Sequence, residues 1–383
     1  MGGARDGLEE LQVQLHMVDF EDTLWKIDEH TKAKHIILER YLKAWFPILS
    51  SLPISDRLVY IDGFAGPGEY KGGEPGSPII ALKAALEHKL KDKFKNIIFW
   101  FIDCREDRCN HLRKKIADLG ELPPNFHVEV TCGKFKEELS KILEGLEREG
   151  SSLAPTFCFI DPFGYTDTGG PEVLGKILKF PKCEVLLTYM VGFMDRSAYD
   201  PAKCRIICEE WNFSKDDIDK IINTKNMIDR EIVWIDVLKK KLIEVSGTNL
   251  YHVAFCVKGY NNRTLYYLIY FTKHIKGVKA MKEAMFKTGK TGQYQFSDYD
   301  FRQKILLDYS KELWQKDCAE MIYEHFKHGV HQVEEIENWV ILETPYIWRS
   351  GILKILENER KIISVTGRCR QFTYPKKASI KFE

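Results

Sequence analysis

Three aspartates follow or end apolar runs in the first half of the chain, and each adjoins residues suited to ligand binding. Asp62 opens the stretch 62–68, which contains three glycines, Asp103 ends a second apolar run, and Asp161 opens the stretch 161–164. Ligands of open α/β sheets bind at the C-terminal ends of the strands. We therefore expect the three carboxylates to meet in one crevice, where they could hold a polar cofactor and orient a reacting group.

The glycine-rich stretch is typical of a turn that holds S-adenosylmethionine. Glycine lets the backbone take positive φ and approach a ligand where a Cβ would collide. Asp62 can accept a hydrogen bond from the ammonium group of the cofactor or from a loop amide. The alternative is a tight strand-to-helix turn without a ligand. The predicted cofactor-binding residues in and after this turn are Asp62, Gly63, Phe64, Ala65, Gly66, Gly68 and Ser77.

Asp103 and Phe135 extend the predicted cofactor site. Asp103 ends the second strand, where a carboxylate can accept two hydrogen bonds from a ribose diol, or could instead cap the next helix. The same geometry serves NAD, but the turn lacks the dinucleotide pattern G-x-G-x-x-G. Phe135 follows the third strand and could cover the face of an adenine ring. Its alternative role is as the first core residue of its helix.

The stretch that begins with Asp161 predicts the position of the methyl acceptor. Enzymes that methylate exocyclic amino nitrogens of planar bases use an acidic or amide residue, a proline and an aromatic residue here. The amino group donates hydrogen bonds to the carboxylate and the proline carbonyl, which directs its lone pair at the methyl group. We predict Asp161, Pro162 and Phe163 as catalytic residues and Tyr165 as a substrate contact. A second proline usually precedes the aromatic residue, so a plain turn is the alternative.

Two basic groups of residues are further candidates for substrate binding. Lys34 and His35 lie near Trp25 and could belong to a lid over substrate or cofactor, or to a solvated helix face. The segment 360–383 is rich in basic residues interleaved with aromatics, a composition that suits contacts with phosphates and bases. Docking of a protein is the alternative there. The predicted substrate contacts in this segment are Arg368, Arg370, Lys376 and Lys377.

Strands and helices alternate through the first 190 residues. Apolar runs predict strands at 58–61, 97–102, 126–131, 156–160 and 184–190, and runs at 250–257 and 264–271 predict a hairpin. We predict an α/β fold with a seven-stranded Rossmann-like class I methyltransferase sheet that ends in an antiparallel hairpin. The domains expected are an N-terminal helical element (1–57), the methyltransferase-like domain (58–300) and a winged helix-turn-helix (315–383).

The winged helix is predicted from three short helices and a hairpin near the C-terminus. The helices are expected at 317–327, 334–343 and 346–359, and the hairpin pairs 362–366 with 369–374 across a turn at Gly367.

The composition argues against membrane and metal binding. Lys and Arg total 57 against 56 Asp and Glu, so no global field attracts polyanions. We find neither an apolar stretch long enough to cross a membrane nor a signal-peptide pattern, and we expect a cytoplasmic protein. The ten cysteines are scattered without a CxxC pair, so no metal site is expected.

The chain resembles the three-Cys-motif partner protein (TcmP) family. The resemblance rests on Lys34-His35, the stretch 62–68 with Gly76-Ser77-Pro78, the stretch 161–164, and Tyr266 followed by Thr272-Lys273-His274. It implies a class I methyltransferase-like domain, a winged helix, S-adenosylmethionine as cofactor, and a separate partner that resembles a radical S-adenosylmethionine enzyme and carries the three-cysteine motif.

Three functions are compatible with these patterns. The leading hypothesis is a methyltransferase that modifies a base of RNA or DNA at an exocyclic nitrogen. The second is a non-catalytic subunit that recognises substrate for a radical enzyme, because the second proline is missing. The third, a nucleotide-dependent oxidoreductase, is the weakest because the dinucleotide glycine pattern is missing.

Overall fold

The computed structural model describes residues 22–53, 55–259, 262–289, 295–297 and 313–383. The predicted N-terminal element is therefore described only from residue 22, and the predicted domain boundary at residue 300 lies outside the described residues. The expected alternation of strands and helices is present from residue 57 to residue 189.

The main sheet has eight strands in the order β3-β2-β1-β4-β5-β7-β6-β8. Its first five strands run parallel, whereas β7 runs antiparallel to both β5 and β6. This confirms the predicted Rossmann-like sheet with a terminal hairpin, to which the short β8 adds an unpredicted edge strand. The strands are β1 Arg57–Asp62, β2 Asn96–Asp103, β3 Phe126–Cys132, β4 Thr156–Ile160, β5 Glu184–Tyr189, β6 Tyr251–Lys258, β7 Thr264–Thr272 and β8 Gln295–Ser297.

Helices cover both faces of this sheet. Strands β4 and β5 are buried along their whole length, as expected for parallel strands between two helical layers. The helices in chain order are α1 Glu29–Ser50, α2 Ser77–Leu86, α3 Glu106–Ala117, α4 Phe135–Glu149, α5 Gly170–Lys179, α6 Val191–Ser197, α7 Pro201–Trp211, α8 Lys215–Asn223, α9 Met227–Ser246 and α10 Ile275–Phe286.

Helix α1 begins beside the C-terminal end of β4, where Lys34 contacts Asp161, and runs back toward the start of β1. Its apolar face, which includes Leu38, Leu42 and Trp45, packs into the core against α2 and α10. Pro47 lies inside the last turn of this helix, which continues to Ser50. This packing fixes the position of Lys34 and His35 at the helix start.

The C-terminal part contains three helices and a three-stranded antiparallel sheet of order β10-β11-β9. These elements are α11 Leu313–Phe326, β9 Val330–Gln332, α12 Val333–Glu343, α13 Gly351–Asn358, β10 Ile362–Thr366 and β11 Ser379–Phe382. The predicted pairing of β10 with 369–374 is wrong, since β10 pairs with β11. Tyr374 instead turns toward α13, where its hydroxyl donates to Glu357, and the segment becomes a loop.

A buried lysine joins the C-terminal part to the main sheet domain. Lys282 on α10 donates hydrogen bonds to the carbonyl oxygens of Val340, Ile341 and Thr344 at 3.2, 2.9 and 2.6 Å, at the end of α12. Carbonyls at a helix C-terminus lack helical partners and carry partial negative charge. The ammonium group therefore holds the two parts together.

Replacement of Lys282 by methionine is expected to loosen this junction. The three buried carbonyls would lose a donor, which should lower the free energy of unfolding by about 2–3 kcal/mol. Chemical denaturation measures this loss, and limited proteolysis should cut between α10 and α12 more readily. Lys287→Met is the control, because the Lys287 side chain is exposed and lies 4.0 Å from its partner Glu283. Equal stability of the two variants would contradict the assignment.

Candidate active site

The glycine turn lies directly after β1 and has the backbone that the sequence predicts. Gly66 and Gly68 have φ angles of +62° and +80°, a region that disfavours other residues. A Cβ on Gly63 would lie 2.6 Å from the Phe135 ring, and one on Gly68 would lie 2.6 Å from Leu112. The Phe135 and Leu112 side chains therefore pack so closely against the turn that they leave no room for a side chain at Gly63 or Gly68.

Asp62 lies at the end of β1 and is completely buried. Its carboxylate accepts a hydrogen bond from the Phe64 amide at 3.3 Å and one from the Ser77 hydroxyl. Ser77 is the first residue of α2, and Gly76 occupies the cap position. The serine side chain is thereby directed to Asp62 instead of to the helix amides.

The buried position makes Asp62 difficult to ionise without a cationic partner. Burial raises its pKa to about 7, and the nearby charges of Asp161 and Asp103 act in the same direction. The Ser77 and Phe64 hydrogen bonds oppose this shift only in part. A cationic group placed beside Asp62, such as an ammonium, would lower this pKa and stabilise the carboxylate.

This shift predicts a pH dependence of stability in the ligand-free chain. Between about pH 4 and 7 the unfolded state releases the Asp62 proton while the folded state keeps it, so folding loses stability as the pH rises. The free energy of unfolding of the wild type minus that of Asp62→Asn should therefore fall across this range and level off above pH 7. Denaturant titrations at several pH values measure the difference, and a flat profile would contradict the shift.

Asp103 ties the end of β2 to the glycine turn. One carboxylate oxygen accepts from the Gly66 amide and the other from the Arg105 amide, both at 2.9 Å. Burial raises the pKa of Asp103, and the two amides and the charge of Arg108 oppose the shift. A carboxylate has about four acceptor positions, so these two bonds leave capacity for a ribose diol.

Phe135 lies in the core and not at the surface of the crevice. Only 2% of the residue is exposed, and its ring packs beneath Gly63 with its centroid 5.9 Å from that of Phe64. This position gives no support to the predicted contact with an adenine ring. It matches the alternative, in which Phe135 is the first core residue of α4. Ala65, also in the turn, is buried, and its amide donates to the Ile102 carbonyl at 2.9 Å.

The structure brings Lys34 and Asp161 together. The Lys34 ammonium forms an ion pair with one oxygen of Asp161, at the end of β4, and lies 5.4 Å from the centroid of the Tyr266 ring. The lysine side chain is nearly buried, whereas 20% of the Asp161 side chain is exposed. The ion pair holds the carboxylate in place at the crevice and leaves part of it accessible.

His35 is buried beside this ion pair and has no charge at neutral pH. Burial lowers its pKa to about 3, and the Lys34 charge contributes. Its ring lies 5.7 Å from that of Tyr70, a residue that the sequence reasoning missed. Burial raises the pKa of Tyr70, and the charges of Asp161 and Asp62 contribute. Tyr70 thus belongs to the same group of side chains, although only its place shortly after the glycine turn hinted at this.

The segment 22–28 passes beside the glycine turn. Trp25 would contact a Cβ on Gly66 at 3.5 Å, and its ring lies 5.2 Å from that of Phe163 and 5.6 Å from that of Tyr70. The Trp25 carbonyl also accepts from the Lys71 amide at 2.8 Å. Phe163 itself is half exposed. Trp25 therefore covers the point between the ends of β1 and β4.

The two other residues predicted after β4 differ in exposure. Pro162 is buried, which fixes the backbone after Asp161. Tyr165 is half-buried, with its ring 5.1 Å from that of Phe193 and its carbonyl accepting from the Trp211 indole at 3.0 Å. Phe193 lies in α6 after β5, so Tyr165 and Phe193 form an aromatic pair.

The four basic residues predicted near the C-terminus do not contact the three aspartates. Arg368 forms a bidentate ion pair with Glu357 at 2.7 Å, and Lys376 pairs with Glu334 and Glu337 at 3.3 and 3.5 Å. These two cations are thus used within the C-terminal part. Arg370 and Lys377 are exposed in the loop between β10 and β11.

A groove in the described part of the chain lies away from the aspartates. It has a volume of about 1070 Å³ and runs between α4 and the sheet, where Val59, Trp100, Ile142 and Leu146 line it. None of the predicted site residues lines it. Across residues 22–289 and 313–383, as far as they are described, no group of three or more His, Cys, Asp or Glu is placed to hold a metal ion. No described helix is long and apolar enough to cross a membrane.

The strand order and the position of the acidic strand ends place the chain in the Rossmann-like fold class of the class I methyltransferases. No family model matches the sequence, and no curated protein matches it. Among solved structures, the chain is similar to the complex of Trm1 from Pyrococcus horikoshii with S-adenosyl-L-methionine, at 11% identity and a TM-score of 0.38. The match covers 70% of this chain and 61% of that one, so the chain spans less than two thirds of its length. A likeness this distant adds nothing to the assignment of the site.

Proposed function

We propose that this chain is an S-adenosylmethionine-dependent methyltransferase that modifies a base of RNA or DNA at an exocyclic amino nitrogen. The observation that carries the proposal is the convergence of Asp62, Asp103 and Asp161 on the glycine turn. Gly66 bonds to Asp103, and the charges of Asp103 and Asp161 both act on Asp62. Carboxylates at three strand ends are suited to a ligand with an ammonium group, a ribose and a reacting centre.

The residues present fit this cofactor. Asp62 is a buried carboxylate that favours a cationic partner, and the turn at Gly66 and Gly68 admits a close ligand. Asp103 keeps acceptor capacity for ribose hydroxyls. When bound, the cofactor supplies an electrophilic methyl group.

Asp161 and Pro162 orient the acceptor in this proposal. The free oxygen positions of Asp161 accept one hydrogen bond from the amino group, and the Pro162 carbonyl accepts the other. Lys34 fixes the carboxylate from the opposite side, and the exposed ring of Phe163 offers a stacking surface for the base. Orientation therefore contributes more to the rate than acid–base strength does.

The C-terminal part supplies nucleic-acid contacts in the same proposal. We assign it as a winged helix-turn-helix from the order of its three helices and three strands. Because Arg368 and Lys376 are held in ion pairs, the exposed Arg370 and Lys377 are the better phosphate contacts. The TcmP resemblance further leads us to propose a radical-S-adenosylmethionine-like partner protein and a cytoplasmic location.

Transfer of a labelled methyl group tests the proposal. The purified chain is incubated with labelled S-adenosylmethionine and either total RNA or DNA, and the nucleosides are analysed by mass spectrometry. We expect one N-methylated nucleoside. Calorimetric titration should give binding of S-adenosylmethionine and none of NAD. Binding of NAD alone would contradict the proposal and favour an oxidoreductase.

A non-catalytic subunit for a radical enzyme is the second candidate. One observation favours it: Lys34 occupies an oxygen of Asp161, the group required to orient an acceptor. The missing second proline before Phe163 points in the same direction. Methyl transfer by the purified chain without any partner would exclude this candidate, whereas cofactor binding without transfer to any nucleic acid would favour it.

A further inference from the structure

Arg108 is a buried cation near the crevice that no part of the proposed function uses. It lies in the first turn of α3, three residues into the helix that follows Asp103, and only 6% of the residue is exposed. Its guanidinium carbon lies 4.9 Å from the centroid of the Trp25 ring and 5.2 Å from that of Phe163. Arg108 is thus held between the segment over the glycine turn and the residues after β4.

The guanidinium lacks the partners that a buried cation normally has. Its Nε is buried without a hydrogen-bond partner, and no carboxylate of the described residues lies within ion-pair distance of it. The charge of Asp103 acts on it only from further away. By contrast, the neighbouring Arg105 pairs with Asp107 at 2.6 Å. Since a buried, unpaired charge is costly, this arrangement indicates an anionic partner that belongs to a ligand.

The edge of the guanidinium is the part that can bind such a partner. Cation–π contacts use the face of a guanidinium, whereas its N–H groups point outward in its plane. Trp25 lies against Gly66 and Phe163 follows β4, so the group they hold is next to the predicted cofactor position. A planar carboxylate can accept two parallel hydrogen bonds from this edge.

We propose that Arg108 binds the carboxylate of the amino-acid end of the cofactor, with Trp25 and Phe163 holding the guanidinium in place. This inference rests on the proposed function, because it takes the ligand to be S-adenosylmethionine or its product. A phosphate of the nucleic acid has related oxyanion chemistry, but it would be contributed by the substrate and not by the cofactor. If the carboxylate of the cofactor is the partner, loss of Arg108 weakens binding of the cofactor. If a phosphate of the nucleic acid is the partner, the same loss weakens binding of the nucleic acid.

A pair of ligands with and without the carboxylate tests the proposal. Calorimetry measures the dissociation constants of S-adenosylhomocysteine and of 5′-methylthioadenosine, which lacks the amino-acid end, for wild type and Arg108→Met. We expect the variant to bind S-adenosylhomocysteine about 10- to 100-fold more weakly and 5′-methylthioadenosine unchanged. Arg113→Met is the matched control on the same helix, because Arg113 is exposed and bonds to the Val130 carbonyl at 2.7 Å. It should behave like the wild type.

Stability of the ligand-free variant provides a second readout. Methionine fills a similar volume without a charge, so Arg108→Met should unfold at the same or a higher temperature than the wild type. An equal loss of affinity for both ligands would overturn the proposal. So would unchanged binding of S-adenosylhomocysteine combined with weaker binding of an RNA oligonucleotide. A wild type that binds neither adenosine ligand would overturn the proposed function as well, which separates the two failures.

Discussion

The Asp161→Ala variant is expected to bind S-adenosylmethionine as the wild type does and to transfer methyl groups roughly 10²- to 10⁴-fold more slowly. The carboxylate is partly exposed at the end of β4, where Lys34 holds one of its oxygens. Its removal therefore takes away the acceptor's orientation while leaving Asp62 and Asp103 in place. Single-turnover transfer to the identified nucleic acid measures the rate, and calorimetry measures binding of the cofactor.

Two further variants separate orientation of the acceptor from support of the fold. Asp161→Asn keeps an oxygen that can accept a hydrogen bond and should retain more activity than the alanine variant. Lys34→Met removes the ion pair but leaves the carboxylate, so it should retain turnover better than Asp161→Ala. If Lys34→Met and Asp161→Ala are equally slow, Asp161 acts only as the partner of Lys34. Unchanged turnover in Asp161→Ala would refute its catalytic assignment.

Replacement of Gly68 by alanine is expected to abolish cofactor binding and to destabilise the chain. With φ at +80°, any side chain costs about 1–2 kcal/mol at this position. The Cβ would also lie 2.6 Å from Leu112, which is completely buried and has little room to move. This overpacking should cost at least about 1 kcal/mol more. The displaced turn would no longer present its amides to the ligand.

Gly120→Ala is the matched control for the turn. Gly120 has nearly the same φ, +84°, but nothing lies within 4 Å of a Cβ built there. The control should therefore show the backbone penalty alone and bind S-adenosylmethionine normally. Chemical denaturation gives the difference between the two variants. Equal destabilisation and equal affinity for the cofactor would mean that the turn at Gly68 is not closely packed.

The sequence predicted the main sheet and the three acidic strand ends because both depend on local patterns. Continuous apolar runs are characteristic of strands buried on both faces, and Asp62, Asp103 and Asp161 each mark the point where such a run ends. Because β1, β2 and β4 run parallel, their C-terminal ends lie at the same edge of the sheet. No distant contact has to be known for this step.

The helices between β5 and β6 were missed although the sequence contains signals for them. Ser214 and Asp217 form a capping box at the start of α8, and the side chain of Asp200 caps α7 before Pro201. Both are local patterns that precede helices. These helices form an insertion that the alternation of strand and helix does not require.

Contacts between distant segments could not be predicted. The ion pair of Lys34 with Asp161 and the position of Trp25 over Gly66 depend on how α1 packs against the sheet. The role of Arg108 could not be predicted either, because in the sequence it is one of 57 lysines and arginines. Its function is suggested only by its burial and its missing partner, two properties of the folded chain.

One motif of the family resemblance has a structural explanation. The Thr272 hydroxyl donates to the buried Glu184, and the Lys273 ammonium donates to carbonyls at the end of α5. The His274 ring accepts from the Lys276 amide and caps α10. These three residues therefore fix the junction of β7 and α10, and their presence in the chain requires no role in catalysis.

A crystal structure of the chain with S-adenosylhomocysteine tests the central claim most directly. We predict that the ribose hydroxyls bond to Asp103, that the ammonium lies beside Asp62, and that the sulfur points toward Asp161. A ligand bound in the groove between α4 and the sheet would contradict the account. So would soaked crystals in which the edge between the ends of β1, β2 and β4 holds no ligand at saturating concentration.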